Sequence, residues 1–178
     1  MNRGIARLAC ALTLLWTSAS LADVAADVKR IEAVLDDFHA AASEADEERY
    51  FGHFAADAVF FGTDASERWT RDEFREYAHP YFARGQGWTY EASRRNVFLS
   101  ADGSAAWFDE ALHNAKYGEC RGTGVLQLHA GDWKIEQYHL TIPIPNELAA
   151  EVVERIRGLD TRDGDTRPPK LGEQRRMR

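Results

Sequence analysis

The sequence predicts an α+β domain in which helices pack on one face of a curved antiparallel sheet. Three observations carry that prediction. An apolar stripe at helical spacing opens the folded part, strand-like runs broken at short intervals fill its second half, and another amphipathic stretch closes it.

The first helix is predicted over residues 24–43. Val24, Val28, Ile31, Val34, Leu35, Phe38 and Ala42 share one side, with Asp27, Lys29, Arg30, Glu32, Asp36 and Asp37 elsewhere. A shorter helix follows in EERYFGHF, with Tyr50, Phe51 and Phe54 as its apolar set. Val59, Phe60 and Phe61 form a first strand ended by Gly62, and Glu67-Arg68-Trp69 a short second one. Thr70 opens a T-R-D-E capping box, in which the hydroxyl and the Glu73 carboxylate each satisfy a free N–H at the helix start. The helix it begins carries Phe74, Tyr77, Ala78, Tyr81 and Phe82, and bends or ends near Pro80.

From Trp88 to Pro145 there are four strand-like runs. They are separated by Asp102-Gly103, Lys116-Tyr117-Gly118 and Ala130-Gly131-Asp132, each short enough for a hairpin, so the runs make an antiparallel meander. Asn146 then caps a last helix with Leu148, Val152, Ile156 and Leu159 on one side and Gly158 near its end.

Ahead of the domain stands MNRGIARLACALTLLWTSASLA, with Arg3 and Arg7, an apolar run, and small residues at Ser20 and Ala22. This is the pattern of a secretory signal peptide over residues 1–22, and it places the protein in the periplasm or outside the cell. The run from Ile5 to Trp16 is interrupted by Arg7 and falls short of the roughly 20 apolar residues of a span, so no membrane span is expected. Residues 23–158 are expected to form one domain, and the polar, aromatic-free residues 159–178 a disordered tail.

Without the leader only Cys120 remains, which excludes an internal disulfide and reads as a buried thiol. The chain carries a net charge of −7, and −9 once the two leader arginines are gone. An acidic body of this kind excludes nucleic acid as the expected partner, because phosphate contacts need clustered Lys and Arg. There is no H-E-x-x-H, close His pair, P-loop, dinucleotide fingerprint or G-x-S-x-G, so neither a metal nor a cofactor is expected.

Candidate site residues come from the stretch WKIEQYHLTIPIP and its neighbours. The hairpin at Ala130-Gly131 sets Arg121, Gly122 and Thr123 across from positions 138–141, within about one residue because the turn type is open. The AWFDE strand runs alongside, so Asp109, Arg121 and His139 lie on three adjacent strands. An imidazole near neutral pH moves a proton, a carboxylate orients it and a guanidinium holds an oxyanion. The competing reading is an internal ion pair with a hydrogen-bonded His that fixes register.

Lys134 and Glu136 look solvent-facing, which turns Trp133, Ile135, Gln137, His139 and Thr141 inward. On the AWFDE strand the choice lies between Trp107, Asp109 and His113, a polar set suited to a cavity, and Phe108, Glu110 and Leu112. One bulge would exchange the faces. His39, His53 and His129 read as surface or packing positions.

The runs FAADAVFFGTDASERWTRDEF, AWFDEAL and CRGTGVLQLHAGDWKIEQYHLTIPIPNEL resemble the SnoaL-like branch of the nuclear transport factor 2-like superfamily, over roughly residues 28–157. The resemblance implies a cone enclosed by a curved sheet and helices. It also implies one of several jobs, from isomerase, dehydratase or cyclase chemistry to noncatalytic assembly. The ketosteroid isomerase tyrosine and paired aspartates have no counterparts at matching places.

The expectation is therefore a cone cavity that binds a small, partly apolar molecule. Asp109 and His139 would carry proton transfer, Arg121 would anchor an oxygen, and Trp107, Tyr138, Gln137 and His113 would line the cavity. The alternative is a noncatalytic homodimer built on the outer face of the sheet.

Overall fold

The computed structural model describes residues 21–160, so the predicted leader, apart from its last two residues, and nearly all of the predicted tail lie outside the described residues. The order of elements is α1 (Leu21–Ser43), α2 (Glu47–Gly52), β1 (Phe54–Phe61), β2 (Arg68–Thr70), α3 (Arg71–Phe82), β3 (Glu91–Leu99), β4 (Ala105–Asn114), β5 (Gly118–His129), β6 (Asp132–Thr141) and α4 (Asn146–Asp160). No described helix is long and apolar enough to cross a membrane.

Helices α2 and α3 start where side chains satisfy their free N–H groups. The Asp46 carboxylate accepts from the Arg49 amide at the head of α2. Thr70 and Glu73 complete the predicted capping box at the head of α3, which continues through Pro80 and ends at Phe82. The α1 stripe buries Ile31, Leu35, Phe38, Ala41 and Ala42, while Val24 at its start is exposed.

The sheet has six strands in the order β2-β1-β6-β5-β4-β3. The predicted meander β3 to β6 is antiparallel throughout, whereas β1 joins β6 in parallel and continues to β2. The β5–β6 turn has two residues, Ala130 and Gly131, both at positive φ, as a type I′ turn requires. That turn fixes Arg121 opposite Thr141 and Thr123 opposite His139.

Aromatic rings fill the space between sheet and helices. Phe38 stacks on Tyr50 with centroids 4.6 Å apart, and Phe60 on Phe74 at 3.9 Å. Tyr138 faces Phe60 at 5.8 Å and Phe108 at 5.9 Å. Aromatic packing around Tyr138 thus occupies much of the space between sheet and helices.

Candidate functional site: a buried carboxylate cluster

Strand parity decides what reaches the interior. On β4 the buried set is Ala106, Phe108, Glu110 and Leu112, and on β5 it is Cys120, Gly122, Gly124 and Leu126. On β6 the alternation breaks. Val125 pairs with Gln137 while Leu126 pairs with Ile135, which leaves Glu136 as an extra residue. This bulge keeps Trp133 and Ile135 inside, then turns Tyr138 and Leu140 inward and Gln137, His139 and Thr141 outward.

Most of the predicted site residues therefore lie on the opposite face. Trp107, Asp109 and His113 of β4, Arg121 of β5, and Gln137 and His139 of β6 project from the outer side of the sheet, and only Tyr138 faces in. The inward placement expected for them is corrected by the β6 bulge and by the apolar set on β4. Asp109 and His139 share one cross-strand row, Asn96-Asp109-Thr123-His139-Phe61, but Thr123 stands between them. Two strand spacings, roughly 10 Å, separate their backbones, too far for that carboxylate to orient that imidazole. Asp109 instead accepts from the Asn96 amide at 3.0 Å, and His113 lies 3.6 Å from Glu119 at the edge of the face.

The inner face holds a different polar group, centred on Glu110, whose side chain is fully buried. Arg95 sits directly opposite it on β3, and its Nε donates to Glu110 Oε2 at 2.8 Å. Arg95 Nη1 donates to Asp36 at 2.7 Å and to the Glu32 carbonyl at 3.3 Å, tying β3 to α1. Nη2 is also 2.8 Å from Oε2, but its N–H bonds are misaligned and it is left buried without a hydrogen bond. On the other oxygen, His39 Nε2 from α1 and the Tyr138 hydroxyl from β6 each donate at 2.8 Å.

Tyr138 reaches Glu110 diagonally, across Gly122. A β-carbon on Gly122 would collide with the Tyr138 hydroxyl and come 2.7 Å from Glu110 Oε1, so only glycine leaves room for the bond.

Sequence reasoning missed His39, Arg95 and Glu110. A signal for two of them was present. His39 falls four residues after Leu35 on the α1 stripe, and Glu110 alternates with Ala106, Phe108 and Leu112, an otherwise apolar set.

The SnoaL-like domain family model matches residues 31–145, which spans both this cluster and the outer face. The chain belongs to the SnoaL-like domain family. No curated protein matches this SnoaL-like chain. Among solved structures it is similar to a Mycobacterium tuberculosis protein of unknown function at 18% identity and TM-score 0.62, covering 74% of this chain and 80% of that one. It is also similar to an NTF2-like protein of unknown function from Pseudomonas putida KT2440, at 15% identity and TM-score 0.58, covering 70% and 91%. A candidate scytalone dehydratase from Novosphingobium aromaticivorans shows 12% identity and TM-score 0.58 over 68% and 87%. At such identities the likeness is one of fold: this is an NTF2-like α+β cone.

In this SnoaL-like domain Glu110 is held ionised. Burial pushes its carboxyl up, but the bonds from His39 and Tyr138 and the charges of His39 and Arg95 together outweigh that and hold it below its usual range. Burial, and then the neighbouring Glu110 charge, push the Tyr138 phenol well above its ordinary value, so it stays a donor.

The folded chain thus binds the Glu110 proton less readily than the unfolded chain does. Its contribution to stability is complete above the ordinary carboxyl value of 4.5 and is lost as pH falls through the lower folded value. Urea unfolding midpoints are expected to decline below about pH 5, with Glu110 contributing at most about 1.4 kcal/mol per pH unit. Glu110→Gln should flatten that decline; an unchanged slope would remove Glu110 as its source.

Proposed function

We propose that the chain is an exported, homodimeric assembly domain that pairs through the outer face of its sheet. The observation that carries this reading is the aromatic pair Phe98 and Trp107. Their rings stack 5.9 Å apart while remaining 48% and 50% exposed on a sheet face that no described helix covers. Val125 and Val59 continue the row, with Gln137 between them. An open sheet face with apolar side chains invites cover, and a two-fold pairing supplies the same face twice.

Charge supports self-pairing. Arg94 and Arg121 share this face with Asp109 and Glu119, so each copy offers both signs to the other. His139 and Asp109 then serve as interface residues.

Light scattering of the chain from Asp23 onward is expected to give twice the monomer mass at micromolar concentration. Trp107→Glu puts an unpaired charge at the centre of the contact and should weaken the dimer by about 2 kcal/mol or more, some thirtyfold in Kd, with an unchanged circular dichroism spectrum. A wild-type monomer at those concentrations would end this reading.

A second reading is favoured by the Glu110 cluster: binding of a small, partly apolar molecule, with isomerase-, dehydratase- or cyclase-like proton transfer. The carboxylate is ionised and flanked by two donors, as an acid–base site needs. Against it, both Glu110 oxygens are already taken by His39, Tyr138 and Arg95, and aromatic rings pack against Tyr138. Native mass spectrometry of the protein isolated from the periplasm tests it: a retained small molecule lost in Glu110→Gln supports ligand binding, and bare protein removes it.

A further inference from the structure

Among the described residues the backbone of the last helix lies close to no other helix or strand. It spans Asn146–Asp160, and Leu148, Ile156 and Leu159 stand about half exposed on one stripe, with Val153 beside them. A lone helix of this length is marginal in water, because its hydrogen bonds barely offset the entropy of ordering the backbone. Something must cover that stripe for the helix to persist.

The chain's own sheet is a poor candidate. Residues 142–145 read Ile-Pro-Ile-Pro, and two prolines in four residues hold the connection extended. Ile142 and Ile144 are themselves exposed, so this stiff connection carries the helix off its own domain.

A receiving surface lies at the root of the connection. A groove of about 520 Å³ on the outer sheet face is lined by Arg94, Ala111, Glu119, Arg121 and Pro143, together with Asp109. Arg94 and Arg121 flank Ala111 in one cross-strand row, and neither guanidinium has an ion-pair partner among the described residues. α4 also carries Glu147, Glu151 and Glu154, spaced four and three apart and therefore on one flank; Glu151 and Glu154 form exposed ion pairs with Arg155 and Arg157 of the same helix, which can be exchanged for a partner's arginines.

The geometry points to an exchanged arm: α4 of each copy crosses to its partner and lies in the partner's groove. Its apolar stripe covers Ala111, and its acidic flank meets Arg94 and Arg121. This rests on the homodimer proposed above and adds which segment seals it.

Amide hydrogen exchange on the chain from Asp23 onward, run beside light scattering over a dilution series, tests the arm. In the dimer, amides 148–159 should exchange at least about tenfold more slowly than in the diluted monomer. Arg94→Glu combined with Arg121→Glu should restore fast exchange in α4.

Fast exchange of α4 in a species of dimeric mass would overturn the arm and leave the sheet-to-sheet dimer standing. Equal protection in dimer and monomer would place α4 on its own chain and also overturn it. A chain monomeric at every concentration would sink the dimer itself and the arm with it.

Discussion

Glu110→Ala is expected to lower stability by about 3–5 kcal/mol and the melting temperature by roughly 10–20 °C, measured by urea and thermal unfolding. The reason lies less in the lost bonds than in what they leave behind. Arg95 is 8% exposed, and with Glu110 gone its guanidinium keeps only the link to exposed Asp36 and a long bond to the Glu32 carbonyl. The Tyr138 hydroxyl and His39 Nε2 lose their acceptor at the same time. Unpaired buried donors cost about 1–3 kcal/mol each, more for a charge.

Removing the charge from both sides should be far milder. Glu110→Leu with Arg95→Met trades a buried ion pair for hydrocarbon and should recover at least about half of the loss, since such pairs scarcely outweigh their own desolvation. If Glu110→Ala alone costs under about 1 kcal/mol, the cluster does not hold α1 to the sheet.

The fold was legible because its signals are local. The α1 stripe, the Thr70 capping box and the three hairpin breaks each rest on a few neighbouring residues, and the structure reproduces them. The pairing of β1 with β6 was not legible, because a parallel contact between strands so far apart leaves no trace in spacing.

Which side chains face inward was hard to read on two strands, for different reasons. Strand parity carried forward from Trp133 and Ile135 predicts Gln137 and His139 inside, and the bulge at Glu136 reverses every position after it. On β4 there was no bulge to blame. There the polar set Trp107, Asp109 and His113 suggests a cavity lining, whereas the apolar company of Glu110 is the better guide. A single charge among Ala106, Phe108 and Leu112 means that partners come from elsewhere, and here they come from α1, β3 and β6. The two faces thus divide the work. The inner one ties helix to sheet through one satisfied carboxylate, and the outer one leaves the Phe98 and Trp107 rings half exposed.

The tightest test of that inner arrangement is a pair of substitutions that meet at one point. Gly122→Ala alone should cost about 1–3 kcal/mol, because its new carbon enters the space of the Tyr138 hydroxyl and presses on Glu110, whose Cγ is 2.9 Å away. Tyr138→Phe alone should cost about 1.5–3 kcal/mol by removing a hydrogen bond to a charged carboxylate. Together they should cost less than their sum by at least about 0.5 kcal/mol, since phenylalanine removes the very oxygen that the alanine strikes. Relief stays partial because the contact with Glu110 remains. Urea unfolding of the four proteins measures the coupling. Strict additivity would mean that the hydroxyl does not cross Gly122 to reach Glu110, and the assignment of that glycine to the cluster would fall.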